Sequence, residues 1–288
     1  MYKTPWRGRF LRAGKRLLFI GAVTYAVLIV ALYLNQRSIM YHPDQTVPDL
    51  AAMGLQDMSV RHIETGDGFK LLAWWKPPAD KTRPTIVFFH GNAGNIGHRR
   101  YQARQYMDAG LGLLLVSWRY NAGAGGEPSE AGLLADGRAA LDFVAAQGIS
   151  EQATVLYGAS LGSGVAVAMA VERKVGGLML LYPYSSMTDV AADRFWFAPV
   201  GLLIKDEYDS VARIGKVTAP ILLIHGERDN VIPVRFARRL FAAAPEPKEG
   251  HFLPEGTHAN LYRLGAGRLV LDFLNRRVAL SSAIPAGG

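Results

Sequence analysis

The chain has 288 residues, half of them apolar, a formal net charge of +8 and no cysteine. That length suits one sizeable α/β domain, and the missing cysteine excludes disulfides, thiol nucleophiles and thiolate metal sites while leaving the redox compartment open. The charge is not that of a nucleic-acid binder. Residues 1–35 hold Lys3, Arg7, Arg9, Arg12, Lys15 and Arg16 and no acid, so the remainder carries 26 bases against 24 acids, whereas a nucleic-acid groove needs its charge spread over a folded face.

From Leu17 to Leu34 runs an uncharged, apolar stretch of 18 residues. As a helix it covers roughly 27 Å, close to the bilayer's hydrocarbon thickness of about 30 Å. The run ends in Leu32-Tyr33-Leu34-Asn35-Gln36-Arg37, without the small-x-small site of a cleaved signal peptide, so residues 17–34 are expected to remain as a membrane anchor. Six bases before the span against Arg37 after it predict a cytoplasmic tail over 1–16. The rest would lie across the membrane, in the periplasm of a bacterium. Residues 35–56, broken by Pro43 and Pro48, read as a connector, 57–276 as the folded domain, and 277–288 as a flexible tail that is small and polar from Ala279.

Within the domain, Met58–Glu64 and Lys70–Trp75 flank a Gly66-Asp67-Gly68 turn and predict a hairpin. Ile86–Phe89, Leu111–Ser117, Thr154–Tyr157, Gly177–Tyr182 and Ile221–Ile224 are short apolar runs suited to strands buried on both faces, and His251 falls within a last strand. Helices are expected over about 96–109, 130–147, 160–173, 187–197, 233–244 and 259–276. Strands alternating with such helices imply a mostly parallel sheet covered on both sides. No internal repeat appears.

Gly158-Ala159-Ser160-Leu161-Gly162 fits G-x-S-x-G between a buried strand and a helix of small residues. This is the strand–turn–helix elbow that exposes a serine at a strained corner. A serine hydroxyl needs a base, and the base an orienting acid, in the chain order serine, acid, histidine. His258, in Gly256-Thr257-His258-Ala259-Asn260, is the expected base in preference to His251. Asp229, in the loop after Ile221–Ile224, is the expected acid, with Glu227 as runner-up. His90 and His225 end buried runs and read as structural. The turn His90-Gly91-Asn92-Ala93-Gly94-Asn95 follows a strand, and the backbone N–H groups of Asn92 and Leu161 are expected to form an oxyanion hole. No cofactor or metal is expected: the spacing fits neither a phosphate loop nor a zinc motif.

The segments FHGNAGN (89–95), GEPSEAGL (126–133), YGASLGSGVA (157–166), YPYSSM (182–187), KDEYDS (205–210), HGERDNVIP (225–233) and GTHAN (256–260) occur in this order. Together they resemble the membrane-associated branch of the α/β-hydrolase superfamily, over roughly residues 36–276. The resemblance implies a three-layer α/β-hydrolase fold behind one transmembrane helix, and an acyl ester or thioester substrate, in some relatives a lysophospholipid or a lipidated protein. Related sequences are often labelled serine aminopeptidase-like, and a peptidase would call for acids such as Glu127 and Glu130 to hold a peptide amine. A catalytically silent membrane scaffold is the other alternative. Relatives usually read Tyr-Arg-Gly-Tyr-Gly where this chain has Trp118-Arg119-Tyr120-Asn121-Ala122. Phe195-Trp196-Phe197 reads equally as an apolar lip for an acyl chain or as a helix packed on the core. Oligomeric state is not legible.

Overall fold

The computed structural model describes residues 6–278; the tail expected to be flexible from Ala279 to Gly288 lies outside them. Helix α1, Trp6–Met40, is long and apolar enough to cross a bilayer, and none of its apolar window is buried against the protein. It runs six residues past Leu34, because nothing between Asn35 and Met40 breaks a helix and Pro43 is the first residue that cannot continue one. The division expected at residue 35 is therefore drawn differently. Residues 41–58 form a packed strap in which Tyr41, Leu55 and Met58 are buried. The Tyr41 and Tyr208 hydroxyls meet at 2.9 Å.

One eight-stranded sheet follows. Its strands are β1 (Ser59–Glu64), β2 (Lys70–Lys76), β3 (Thr85–Phe89), β4 (Gly112–Val116), β5 (Thr154–Ala159), β6 (Gly177–Leu181), β7 (Ile221–Gly226) and β8 (Lys248–Leu253). The order is β1-β2-β4-β3-β5-β6-β7-β8. The hairpin β1–β2 and the pair β2–β4 are antiparallel, and every other pair is parallel. The helices are α2 (Arg100–Asp108), α3 (Glu130–Ala146), α4 (Leu161–Glu172), α5 (Met187–Arg194), α6 (Val200–Leu203), α7 (Ser210–Ile214), α8 (Val234–Ala243) and α9 (Ala266–Phe273).

Alternation along the central strands splits the core into two layers. Val87 and Phe89 of β3 join Leu114 and Val116 of β4 under α3, α4 and α8, while Ile86 and Phe88 join Leu113 and Leu115 under α2 and α9. Continuous burial of β3 to β7 is what a parallel sheet covered on both faces requires.

Three expected helices are corrected. The 96–109 helix opens as a 3₁₀ turn, Ile96–Arg99, capped by the Asn95 side chain. The 187–197 helix stops at Arg194, and Pro199 heads the separate turn of α6. The 259–276 helix starts only at Ala266, after Gly265 in the left-handed region at φ 91°, and passes into a π-helical turn, Leu274–Val278. Val278 is buried, so the flexible tail expected from 277 does not begin there. The short α7 carries no pattern long enough to be legible.

Register sets the position of the site. Phe89 pairs with Gly158, Ala159 with Leu181, and Leu181 with Ile224. The carboxyl ends of β3, β5, β6 and β7 therefore finish level, and the loops that leave them meet along one edge. Ligand sites of open α/β sheets occupy such an edge.

Candidate active site

Ser160 is the corner between β5 and α4, with φ 50° and ψ −120°. A non-glycine residue at such an angle is strained, and close packing on both sides holds it. A Cβ on Gly158 would lie 2.6 Å from Ser163 Cα, and one on Gly162 would lie 2.6 Å from the Phe89 carbonyl carbon and 2.7 Å from the His90 oxygen. Glycine is required at both positions because backbone meets backbone there. The Ser160 amide donates to Leu181 O at 2.9 Å, and Ser160 O accepts from the Ser163 amide at 2.8 Å and hydroxyl at 2.6 Å.

His258 arrives from the loop after β8. Its Nε2 lies 3.1 Å from Ser160 Oγ, and its Nδ1 lies 2.8 Å from Asp229 Oδ2. The other carboxylate oxygen of Asp229 accepts from the Val231 and Ile232 amides, each at 2.9 Å. Burial by itself would raise the Asp229 pKa, but the His258 hydrogen bond and charge with the two backbone donors hold it below the usual carboxylate range. The three side chains form one hydrogen-bonded chain with the acid fixed and ionised.

The remaining candidates separate cleanly. Glu227 is exposed and accepts from Arg238 at 2.5 Å. His251 pairs with Ile224 in the sheet, away from the chain of three. Glu130 takes Arg213 at 2.7 Å and caps the Glu207 and Tyr208 amides, so its carboxylate is engaged rather than presented to an amine. His225 bonds Ile232 O at 2.9 Å, and His90 bonds the Gly91 carbonyl at 2.7 Å. Burial drives both imidazoles down, His90 to about 3, so both stay neutral and brace their loops.

The turn after β3 passes directly beside the serine: a Cβ on Gly91 would lie 3.3 Å from Ser160 Cβ. Asn92 is fixed from the far side, where its Oδ1 accepts from the His42 amide at 3.0 Å and its Nδ2 donates to Met40 O. Leu161 opens α4 next to it. Behind the turn, the Asn121 side chain accepts from the Asp44 amide at 2.8 Å and reaches Gly94 O at 3.4 Å. Ala122 holds φ 50°, a left-handed position that costs a residue with a Cβ about 1–2 kcal/mol.

Two residues escaped the sequence reading. The Tyr182 ring sits 4.7 Å from the His258 ring, with its backbone at φ 52°. The Asn260 side chain accepts from the Thr257 amide at 2.7 Å and donates to Glu255 O at 3.1 Å, closing the loop that carries His258. Asparagine two residues after the histidine is a readable loop-forming signal; Tyr182 heads the YPYSSM segment, but no local pattern there points to the His258 ring.

No family model matches the chain. Protein Rv2307c of Mycobacterium tuberculosis is 35% identical over 259 residues, covering 89% of this chain and 92% of its own. Protein bem46 of Schizosaccharomyces pombe is 30% identical over 286 residues, covering 90% and 93%. The α/β hydrolase domain-containing protein WAV2 of Arabidopsis thaliana is 27% identical over 224 residues, covering 70% and 73%. Among solved structures, an esterase from Pyrococcus furiosus superposes with a TM-score of 0.65 at 17% identity, covering 83% of this chain and 98% of that one. With its sheet order, its serine elbow and these relatives, the chain belongs to the α/β-hydrolase superfamily.

Proposed function

We propose that the protein is a membrane-anchored serine hydrolase that cleaves carboxylic esters or thioesters of acyl substrates through an acyl-enzyme. The observation that carries this reading is the hydrogen-bonded chain Ser160–His258–Asp229 at a strained elbow. Ser160 Oγ attacks the acyl carbon while His258 Nε2 takes its proton, and Asp229 stabilises the resulting imidazolium. The oxyanion is received by the Asn92 and Leu161 amides, the second aided by the N-terminal dipole of α4. Collapse expels the alcohol or thiol, which leaves with the proton from His258. Water then repeats the attack on the acyl-enzyme, with the same imidazole as base, and frees the acid. Ester and thioester pass through the same tetrahedral centre, so the triad serves both.

In this reading α1 holds the enzyme in the membrane through residues 17–34, with the N-terminus in the cytoplasm and the catalytic domain outside it. The loop after β3 is bonded to Met40 and His42, which keeps the serine near the membrane surface and favours acyl chains presented there. A fluorophosphonate probe on the detergent-solubilised chain tests the chemistry: the expected label sits on Ser160 and is abolished in Ser160→Ala. A silent scaffold would not label, and a Ser160→Ala variant that keeps more than about a tenth of the esterase turnover would refute the mechanism.

A further inference from the structure

Between Arg194 and Lys205 the chain runs ten residues without a charge, Phe195-Trp196-Phe197-Ala198-Pro199-Val200-Gly201-Leu202-Leu203-Ile204, and none of them is buried. Trp196 is 82% exposed and Leu202 87%. Trp196 is therefore not packed on the core, which removes one of the two readings of this aromatic cluster. The segment lies against α1. The Tyr25 hydroxyl donates to Phe197 O at 2.8 Å, Gln36 Nε2 donates to Leu203 O at 3.2 Å, and Gln36 Oε1 accepts from the Lys205 amide at 2.8 Å. Lys205 Nζ stands 4.3 Å from the centre of the Tyr33 ring.

These contacts fix a depth. Tyr25 stands nine residues before Leu34, about 14 Å along the helix, in a hydrocarbon layer of about 30 Å. If α1 spans the bilayer at Leu17–Leu34, Phe197 lies near the middle of the hydrocarbon layer, and Arg37, Lys205 and Asp206 mark the polar boundary on the side of the folded domain. Most of the segment's backbone amides suit that position. Outside a regular helix, peptide groups survive in hydrocarbon only when they are satisfied internally. Here the Phe195, Ala198, Val200, Leu202 and Ile204 amides donate to carbonyls of residues 191–200, and Tyr25 and Gln36 cover the Phe197 and Leu203 carbonyls, while the Trp196 and Phe197 amides make no backbone bond of this kind among the described residues. Lys205, at the Tyr33 level of α1, is placed to extend toward headgroups.

We propose that residues 195–204 are a second membrane-embedded element, immersed in the acyl-chain region of the leaflet beside α1. The proposal rests on the reading of α1 as a span. It assigns the exposed apolar surface of Trp196 and Leu202 to lipid rather than to a soluble substrate.

The chain has no cysteine, so single-cysteine variants can carry a nitroxide without background. Trp196→Cys, Leu202→Cys, Val27→Cys in the span and Tyr101→Cys on α2 are each labelled in the full chain and placed in phosphatidylcholine–phosphatidylglycerol nanodiscs. Collision with oxygen, which concentrates in hydrocarbon, is compared with collision with a water-soluble nickel chelate. The expected result is a several-fold excess of oxygen over nickel at 27, 196 and 202 and the reverse at 101. Oxygen dominance at 27 with nickel dominance at 196 and 202 overturns the proposal and leaves the span intact. Low collision with both reagents at 196 and 202 means protein covers them, as in a dimer, and also overturns it. Nickel dominance at 27 refutes the span and the proposal together.

Discussion

Replacing Asp229 by asparagine removes a charge without changing shape, and the hydrogen bonds around it decide which way the amide turns. The carboxylate has three protein donors: the Val231 and Ile232 amides on Oδ1 and His258 on Oδ2. Asparagine has a single oxygen. Turned toward the backbone, it keeps both amide bonds and presents its NH₂ to His258 Nδ1. Turned the other way, it sets NH₂ against two buried N–H donors and loses both bonds, each worth about 1–3 kcal/mol when left unmade. The first orientation therefore wins by about 2–6 kcal/mol, a factor of roughly 30 to more than 10⁴. In that orientation His258 must accept at Nδ1 and carry its proton on Nε2, facing Ser160, where it cannot act as a base. The expected fall in kcat/KM for p-nitrophenyl butyrate is ~10³–10⁴-fold, as for other triads with the tautomer reversed, with a matching loss in the rate of fluorophosphonate labelling. The melting temperature is expected to change little, because the two backbone bonds survive. An Asp229→Asn enzyme that folds and keeps more than a tenth of its activity would show that the acid does not orient the histidine. Glu227→Gln serves as the control and is expected to act like wild type, since Glu227 pairs with Arg238 on the surface.

Gly162→Ala places a methyl against the carbonyls of Phe89 and His90, so the loop after β3 must move away from Ser160 by something near 1 Å. A fall of ~10²-fold in kcat is expected from such a displacement, and unchanged kinetics would mean that the elbow does not set the distance to Asn92. His90 and His225 are held neutral by burial, so the unfolded chain binds protons first and stability falls as pH drops below about 6.5. Asp136, pushed up to about 6 by burial, opposes this below pH 6, so the two histidines together are expected to leave a net fall in stability from pH 7 to pH 5. Urea unfolding in detergent, followed by the buried Trp74 and Trp118, measures it, and equal stability at the two pH values contradicts the assignment. For topology, alkaline phosphatase fused to the C-terminus in a bacterial host is expected to be active and a green fluorescent protein fusion dark; the opposite pattern puts the catalytic domain in the cytoplasm.

The strands were legible because buried parallel strands are short apolar runs closed by glycine or a polar residue, as Ile86–Phe89 and Ile221–Ile224 are. The elbow was legible because its glycines answer to steric needs confined to a few adjacent residues. Helix ends were less so. Gly265 and Pro199 mark real boundaries, but an apolar pattern continues through each of them. Side-chain partners distant in sequence were not readable at all: Asn92 to Met40, Asn121 to Asp44 and Arg37 to Asp206 link segments that share no local pattern. For the same reason residues 35–56 read as a connector, although Tyr41 and Leu55 are buried, because scattered apolar residues among prolines carry no period.

The last turn of α1 belongs mechanically to the catalytic domain. Arg37 forms a two-point pair with Asp206, whose side chain is only 3% exposed and also accepts from the Glu130 amide. One turn on, Met40 and His42 hold Asn92. A soluble version cut immediately after Met40 would leave the Asp206 carboxylate without its Arg37 partner and would remove one of the two bonds that hold Asn92. The end of α1 thus acts as a buttress for the site, and a tilt of that helix is transmitted to the turn that passes beside Ser160.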